Sequence, residues 1–142
     1  MTAALYTAEA HVTGGRNGHG RTLDGRLDLD LRLPKELGGD GEGANPEQLF
    51  AVGYAACFGT TLALVGQREN LKADDAEIDA SVSLVPADGG RFQLSVELRI
   101  SLPSLTPEQA AELVKTAHQT CPYSNATRDN IDVALVLAGT RL

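Results

Sequence analysis

Asn45-Pro46-Glu47-Gln48-Leu49-Phe50-Ala51-Val52-Gly53-Tyr54-Ala55-Ala56-Cys57-Phe58-Gly59-Thr60-Thr61-Leu62-Ala63-Leu64-Val65-Gly66 is the stretch on which the fold turns. It opens on a capping device, with Asn45 as cap, Pro46 at the first helical position and Gln48 placed to return the cap, and it predicts a helix running to about Asn70. Leu49 to Gly66 is 18 residues without a charge, the length at which a membrane span must be considered. Its glycines, threonines and alanines, and the lack of a flanking Lys or Arg cluster, favour a core helix enclosed by its neighbours. Apolar nearly all round, such a helix needs a sheet on one side and a second cover on the other, for which a second subunit is a candidate.

Working outward, the flanking segments alternate. Leu23, Leu27, Leu29, Leu31 and Leu33 face one way and Asp24, Arg26, Asp28, Asp30 and Arg32 the other, which reads as one half-solvated strand. Arg91 to Leu102 repeats the pattern with Phe92, Leu94, Val96, Leu98, Ile100 and Leu102 inward. Ile78 to Leu84 supplies its hairpin partner across Pro86-Ala87-Asp88-Gly89-Gly90. Ala3 to Thr13 and Ile131 to Ala138 read as further strands, the first joined to Leu23–Leu33 through Gly14-Gly15-Arg16-Asn17-Gly18. A second helix starts at Thr106-Pro107-Glu108-Gln109, continues through Ala110, Leu113, Val114 and Ala117, and stops at Pro122. The expected class is α+β, with antiparallel sheets packed around a long buried central helix.

At 142 residues with no Gly, Ser or Pro linker, the chain is expected to be one domain over 1–142. A formal net charge of −7 and the lack of any Lys and Arg cluster argue against nucleic acid and anionic membrane as partners. Met1 to Ala10 carries a Glu and no cationic run before an apolar core, so no leader and a cytoplasmic location are expected. In that compartment a permanent disulfide is disfavoured, and any pairing of the two cysteines is transient and chemical.

Taken singly, the candidate residues have plain explanations. Cys57 lies about eleven residues into its helix, too far to borrow the positive N-terminus, and a cysteine there is more often packing than reactive. Cys121, before Pro122, is as readily packing as chemistry. Arg16 sits among Gly14, Gly15, Gly18 and Gly20, where a mobile loop can carry a guanidinium into a cleft or leave it in solvent. Glu47 is explained by the helix dipole alone. His118-x-x-Cys121 offers two metal ligands with no second close pair, so neither metal nor cofactor is expected.

Together these residues fall into motifs: Gly14-Gly15-Arg16-Asn17-Gly18, Glu36-Leu37-Gly38-Gly39, Asn45-Pro46-Glu47-Gln48-Leu49-Phe50, Tyr54-x-Ala56-Cys57-Phe58 and Cys121-Pro122-Tyr123-Ser124-Asn125-Ala126-Thr127-Arg128. In that order, over nearly the whole chain, they resemble an organic hydroperoxide resistance protein of the Ohr/OsmC family. Gln48, Phe50 and Pro122-Tyr123-Ser124-Asn125 are similar to the Ohr branch rather than the OsmC branch.

The resemblance implies a cysteine-based peroxidase of alkyl and fatty-acid hydroperoxides, active in oxidative stress defence. Cys57 is then the peroxidatic cysteine, Cys121 the resolving cysteine, Arg16 the activating cation and Glu47 the carboxylate that orients it. The same resemblance implies a lipoylated protein or dihydrolipoamide as the dithiol reductant. Phe50, Tyr54 and Phe58 are compatible with a pocket for an alkyl tail. Ten residues separate Glu47 from Cys57, about 15 Å along a straight helix. Either the helix breaks near Gly53, or Arg16 and Glu47 serve the Cys57 of a partner in an intertwined homodimer. The rival readings are a ligand-binding scaffold of the same fold whose cysteines merely pack, and an osmotically induced peroxidase of the OsmC branch.

Overall fold

The computed structural model describes residues Thr2–Leu142, in two compact units, Met1–Leu49 and Phe50–Leu142. In the first unit β1 (Ala10–Thr13), β2 (Gly18–Thr22) and β3 (Asp28–Leu31) form an antiparallel sheet in that order. A 3-10 turn over Gly15–Asn17 reverses β1 into β2, and a side chain at Gly18 would put its Cβ 1.8 Å from the Thr13 carbonyl oxygen. Only glycine fits there.

Two sequence expectations are corrected in this unit. The strand expected over Ala3 to Thr13 is confined to Ala10–Thr13, and it pairs with Gly18–Thr22 rather than directly with the leucine-rich stretch. That stretch is no single strand, because Thr22 to Leu27 is a turn. Gly25 takes φ 75°, the Asp24 carboxylate accepts from the Arg26 N–H at 2.9 Å, and the Thr22 hydroxyl accepts from the Leu27 N–H at 3.0 Å. Side-chain hydrogen bonds to the local backbone outcompete the ladder there. Leu23 and Leu27, whose alternation suggested a buried face, stand exposed on either side of the turn.

The second unit holds a sheet of β4 (Glu77–Pro86), β5 (Phe92–Ser101), β6 (Val133–Leu137) and β7 (Thr140–Arg141) in that order. The expected hairpin is β4 with β5, Ala80 facing Leu98 and Val82 facing Val96. The β5–β6 pair is parallel, Leu98 opposite Leu135, where antiparallel pairing was expected. Between them the chain runs through α2 (Pro107–Thr120) and α3 (Pro122–Thr127), a crossover long enough to bring the strand back in the same direction. β7 follows a tight reversal at Ala138 and Gly139, both at positive φ, and alternation gave no sign of it.

The long helix, α1, spans Pro46–Arg68 without interruption. Its start is the expected box: Asn45 Oδ1 accepts from the Gln48 N–H at 2.9 Å, and Gln48 Oε1 accepts from the Asn45 N–H at 3.1 Å. Thr106 and Gln109 cap α2 in the same reciprocal way. Pro122 stops α2 and at once opens α3. Tyr54, Phe58, Leu62 and Val65 of α1 pack with Val96, Leu98 and Ile100 of β5 and with Leu113, Val114 and Ala117 of α2 to make the core of the second unit. Each of the larger side chains contributes about 1.5–3 kcal/mol by leaving water. By length and composition α1 could cross a membrane, and that face of it lies in this core. Its other face carries Val52, 71% exposed, and Leu64, 43% exposed. Phe92, expected inward, is exposed at the end of the hairpin, beyond the reach of the core.

Candidate active site

The second unit brings the two cysteines together. Cys57 is half-buried on α1, Cys121 is fully buried at the junction of α2 and α3, and both are free thiols. The Cys121 thiol donates to Cys57 Sγ at 3.6 Å. A disulfide needs about 2.05 Å, so the two sulfurs are in contact and unbonded. Burial pushes the Cys57 thiol above its ordinary pKa, opposed by the Tyr123 backbone N–H and reinforced by the adjoining Cys121. Cys57 in this setting is mostly thiol at neutral pH and needs a cation before it is a good nucleophile.

The first unit brings the other two candidates together. Arg16 Nη1 donates to Glu47 Oε2 at 2.8 Å and Arg16 Nη2 to Glu47 Oε1 at 2.7 Å, a two-pronged pair that fixes the plane of the guanidinium. The hydrogen bond from Arg16 holds the Glu47 carboxyl below its usual range, and the same bond raises Arg16. A cation is thus held in one orientation. The helix break anticipated at Gly53 is absent. Gly53 has a different reason: a Cβ there would fall 2.6 Å from Tyr123 Oη, so the glycine lets that ring lie against α1.

The three residues expected at a tail pocket lie in two different environments. A cavity of about 740 Å³ in the second unit is lined by Phe50, Phe92, Leu94, Pro122, Tyr123 and Ile131, among others. Of Phe50, Tyr54 and Phe58, Phe50 lines this cavity, while Tyr54 and Phe58 are fully buried in the core because they lie on the inward face of α1. They back it instead: the Tyr123 ring, which lines the cavity, sits 5.6 Å from Phe50 and 5.5 Å from Tyr54, and Phe58 lies 6.5 Å behind Tyr54. Tyr123 was read from sequence only as part of a motif and given no place in the pocket, although Pro122 placing it in the first turn of a new helix was a usable signal. His118, weighed as a metal ligand beside Cys121, turns its Nδ1 to the Ser124 hydroxyl at 2.9 Å.

An α+β chain with two thiols in contact and a preset arginine–carboxylate pair defines a thiol-based redox class. The comparisons narrow it. The OsmC-like protein family matches residues 39–136. The organic hydroperoxide resistance protein of Xanthomonas axonopodis pv. citri is 52% identical over 94% of this chain and 95% of its own. The crystal structure of the organic hydroperoxide resistance protein OhrB of Bacillus subtilis is 47% identical, with TM-score 0.86 over 94% of this chain and 99% of its own. A crystal structure from Vibrio cholerae, assigned to organic hydroperoxide resistance and holding captopril in one of its active sites, reaches TM-score 0.94 at 46% identity over 99% and 96% of the two chains. This chain belongs to the Ohr/OsmC family, in its organic hydroperoxide resistance branch.

Proposed function

We propose that this chain is a cysteine-based peroxidase that reduces organic hydroperoxides, alkyl and fatty-acid, to alcohols. The observation that carries this reading is the pair of free thiols 3.6 Å apart, one half-buried and one fully buried. Packing alone has no need to bring into contact two thiols that lie 64 positions apart in the chain.

The Cys57 thiolate attacks the distal peroxide oxygen and the O–O bond breaks. The alkoxide takes a proton from solvent and leaves as alcohol, and Cys57 is oxidised to a sulfenic acid. Cys121 then forms the S–S bond, its thiol proton leaves with the hydroxide as water, and the disulfide forestalls irreversible oxidation. An external dithiol, a lipoylated protein or dihydrolipoamide, reduces the disulfide and becomes oxidised in turn. Arg16 stabilises the thiolate and donates to the peroxide oxygens, and Glu47 keeps its fork aimed. The aromatic wall of Phe50 and Tyr123, backed by Tyr54 and Phe58, receives the alkyl tail.

In the same reading the whole chain, 1–142, is one domain working in the cytoplasm in oxidative stress defence, and it assembles as an intertwined homodimer. Two features support the dimer. The ten residues from Glu47 to Cys57 take up about 15 Å of the axis of an unbroken α1, which favours a pair supplied by a partner chain. The stripe Val52, Ala56, Thr60 and Leu64 is exposed on the same helix.

The test is mass spectrometry of the reduced protein after one equivalent of tert-butyl hydroperoxide, on wild type, Cys57→Ser and Cys121→Ser. A Cys57–Cys121 disulfide in wild type, an inert Cys57→Ser and an over-oxidised Cys57 in Cys121→Ser are expected. Thiols that stay reduced in wild type would return the cysteines to packing and the cavity to a ligand-binding scaffold.

A further inference from the structure

Cys121 is the single residue between α2 and α3, with φ −63° and ψ 128°, so the angle of that elbow decides where its thiol points. Pro122 has no N–H, and the carbonyl it would have met four residues back, that of His118, loses its helical partner. Arg128, at the far end of α3, supplies another: its Nη1 donates to the His118 carbonyl at 2.8 Å. Its Nη2 donates to Asn125 Oδ1 at 2.7 Å, which holds the plane of the fork. One guanidinium thus ties the end of α2 to the end of α3 across the cysteine between them.

Two further bonds fasten the same elbow. His118 Nδ1 lies 2.9 Å from Ser124 Oγ, a second strap from α2 to α3, and Tyr54 Oη lies 2.7 Å from Ser124 Oγ, a strap from α3 to α1. Tyr54 and Cys57 are three positions apart on α1, neighbours on its surface. The strap to α1 therefore sets α3 beside the turn that carries Cys57, and the straps to α2 set the bend at Cys121. What they leave in register is the contact of the two sulfurs at 3.6 Å. Arg128 closes the motif that begins at Cys121, and the peroxide chemistry gives it no task.

We infer that Arg128 is a positioning residue for the thiol pair: by bridging the His118 carbonyl and Asn125, it holds the α2–α3 elbow at the angle that keeps Cys121 against Cys57. A cation at the last carbonyls of its own helix is ordinary capping. Here the cation comes from the next helix, beyond the cysteine, so its bond to His118 depends on the elbow angle. The sulfurs are then ordered before the S–S bond forms, and the effective concentration of one thiol at the other is raised accordingly. The coupling is reciprocal: whatever the clamp adds to disulfide formation, the disulfide adds to the clamp.

The inference deepens the proposed two-thiol chemistry, and its test contains no peroxide. A disulfide that forms with glutathione but not with peroxide sinks the peroxidase alone, and one indifferent to Arg128 sinks the inference alone. The reduced protein is equilibrated without oxygen in mixtures of reduced and oxidised glutathione, and the Cys57–Cys121 disulfide is quantified by acid quench and mass spectrometry. In that exchange the two thiols give two electrons and two protons to one glutathione disulfide, which leaves as two glutathione thiols. In Arg128→Met, which keeps a long side chain and loses the fork, the equilibrium constant for the disulfide should fall about tenfold or more. Asn125→Ala, which keeps the charge and loses its guide, should lower it about two- to tenfold. Thr106→Ala removes the cap at the other end of α2, weakens that helix without touching the elbow, and should leave the constant unchanged. An equal fall in Thr106→Ala, an Arg128→Met constant matching wild type, or a wild type that never closes the disulfide would overturn the inference. Should Arg128→Met fail to fold, Asn125→Ala, at an exposed position, decides alone.

Discussion

The two units of this chain hold two pairs in opposite conditions. In Met1–Leu49 the Arg16–Glu47 pair is finished: two short hydrogen bonds, a carboxyl held ionised and a guanidinium held flat. In Phe50–Leu142 the Cys57–Cys121 pair is in contact but chemically quiet, because burial favours the neutral thiol. The contrast teaches that placing two sulfurs together and making one of them reactive are separate problems. The core solves the first by packing; only a cation solves the second.

The largest expected effect tests where that cation comes from. Arg16→Ala chains, strongly slowed, and Cys57→Ser chains, inactive, are co-refolded so that mixed dimers form, and peroxide consumption is measured. With sites shared between subunits, each mixed dimer regains one intact site, and activity rises above that of either variant to about a quarter of wild type for random pairing. Sites built within one chain would leave the mixture no more active than its Arg16→Ala share alone and remove the intertwined dimer from the proposal. Next in size is Arg16→Ala itself, which should slow Cys57 oxidation by about 10- to 150-fold at neutral pH, the loss of a charge-assisted hydrogen bond of about 1.5–3 kcal/mol. Stopped-flow oxidation across pH should show the deficit shrinking as alkali ionises the thiol unaided.

Gly53→Ala is expected to cost about 1–3 kcal/mol in denaturant unfolding by driving a methyl into Tyr123 Oη, against a gain of about 1 kcal/mol in helix propensity. Restored stability in Gly53→Ala combined with Tyr123→Phe would identify the phenolic oxygen as the obstacle. The smallest effect concerns the ion pair. The folded-state pKa of Glu47 lies below its unfolded value, so its contribution is present above the ordinary carboxyl range and is lost as pH falls through the folded pKa. With Arg16 partly exposed, about 1 kcal/mol or less is expected. The stability difference between wild type and Glu47→Gln should therefore be flat at neutral pH and close only on acidification.

Legibility from sequence followed the range of the interactions. The box at Asn45 and Gln48, its counterpart at Thr106 and Gln109, and the β4–β5 hairpin were readable because each is decided within a few residues. Even at short range, alternation misled at Leu23 and Leu27. Leucine periodicity does not record that Thr22 and Asp24 side chains close a turn between them. The parallel seating of β6 and the fate of Phe92 depended on where a crossover and a core happened to end.

The site divided in the same way. Cys57, Cys121, Arg16 and Glu47 stood out as residue types in recognisable motifs, so the sequence by itself determined the chemistry available and the family to which it belongs. Only the tertiary structure decided that the thiols touch across a separation of 64 positions, that Gly53 makes room for Tyr123 rather than breaking α1, and that His118 Nδ1 meets the Ser124 hydroxyl. The physical reason is that donor, acceptor and nucleophile are properties of a side chain and can be read one letter at a time. Distance, burial and the direction of a hydrogen bond belong to pairs, and pairs exist only once the core has closed around them.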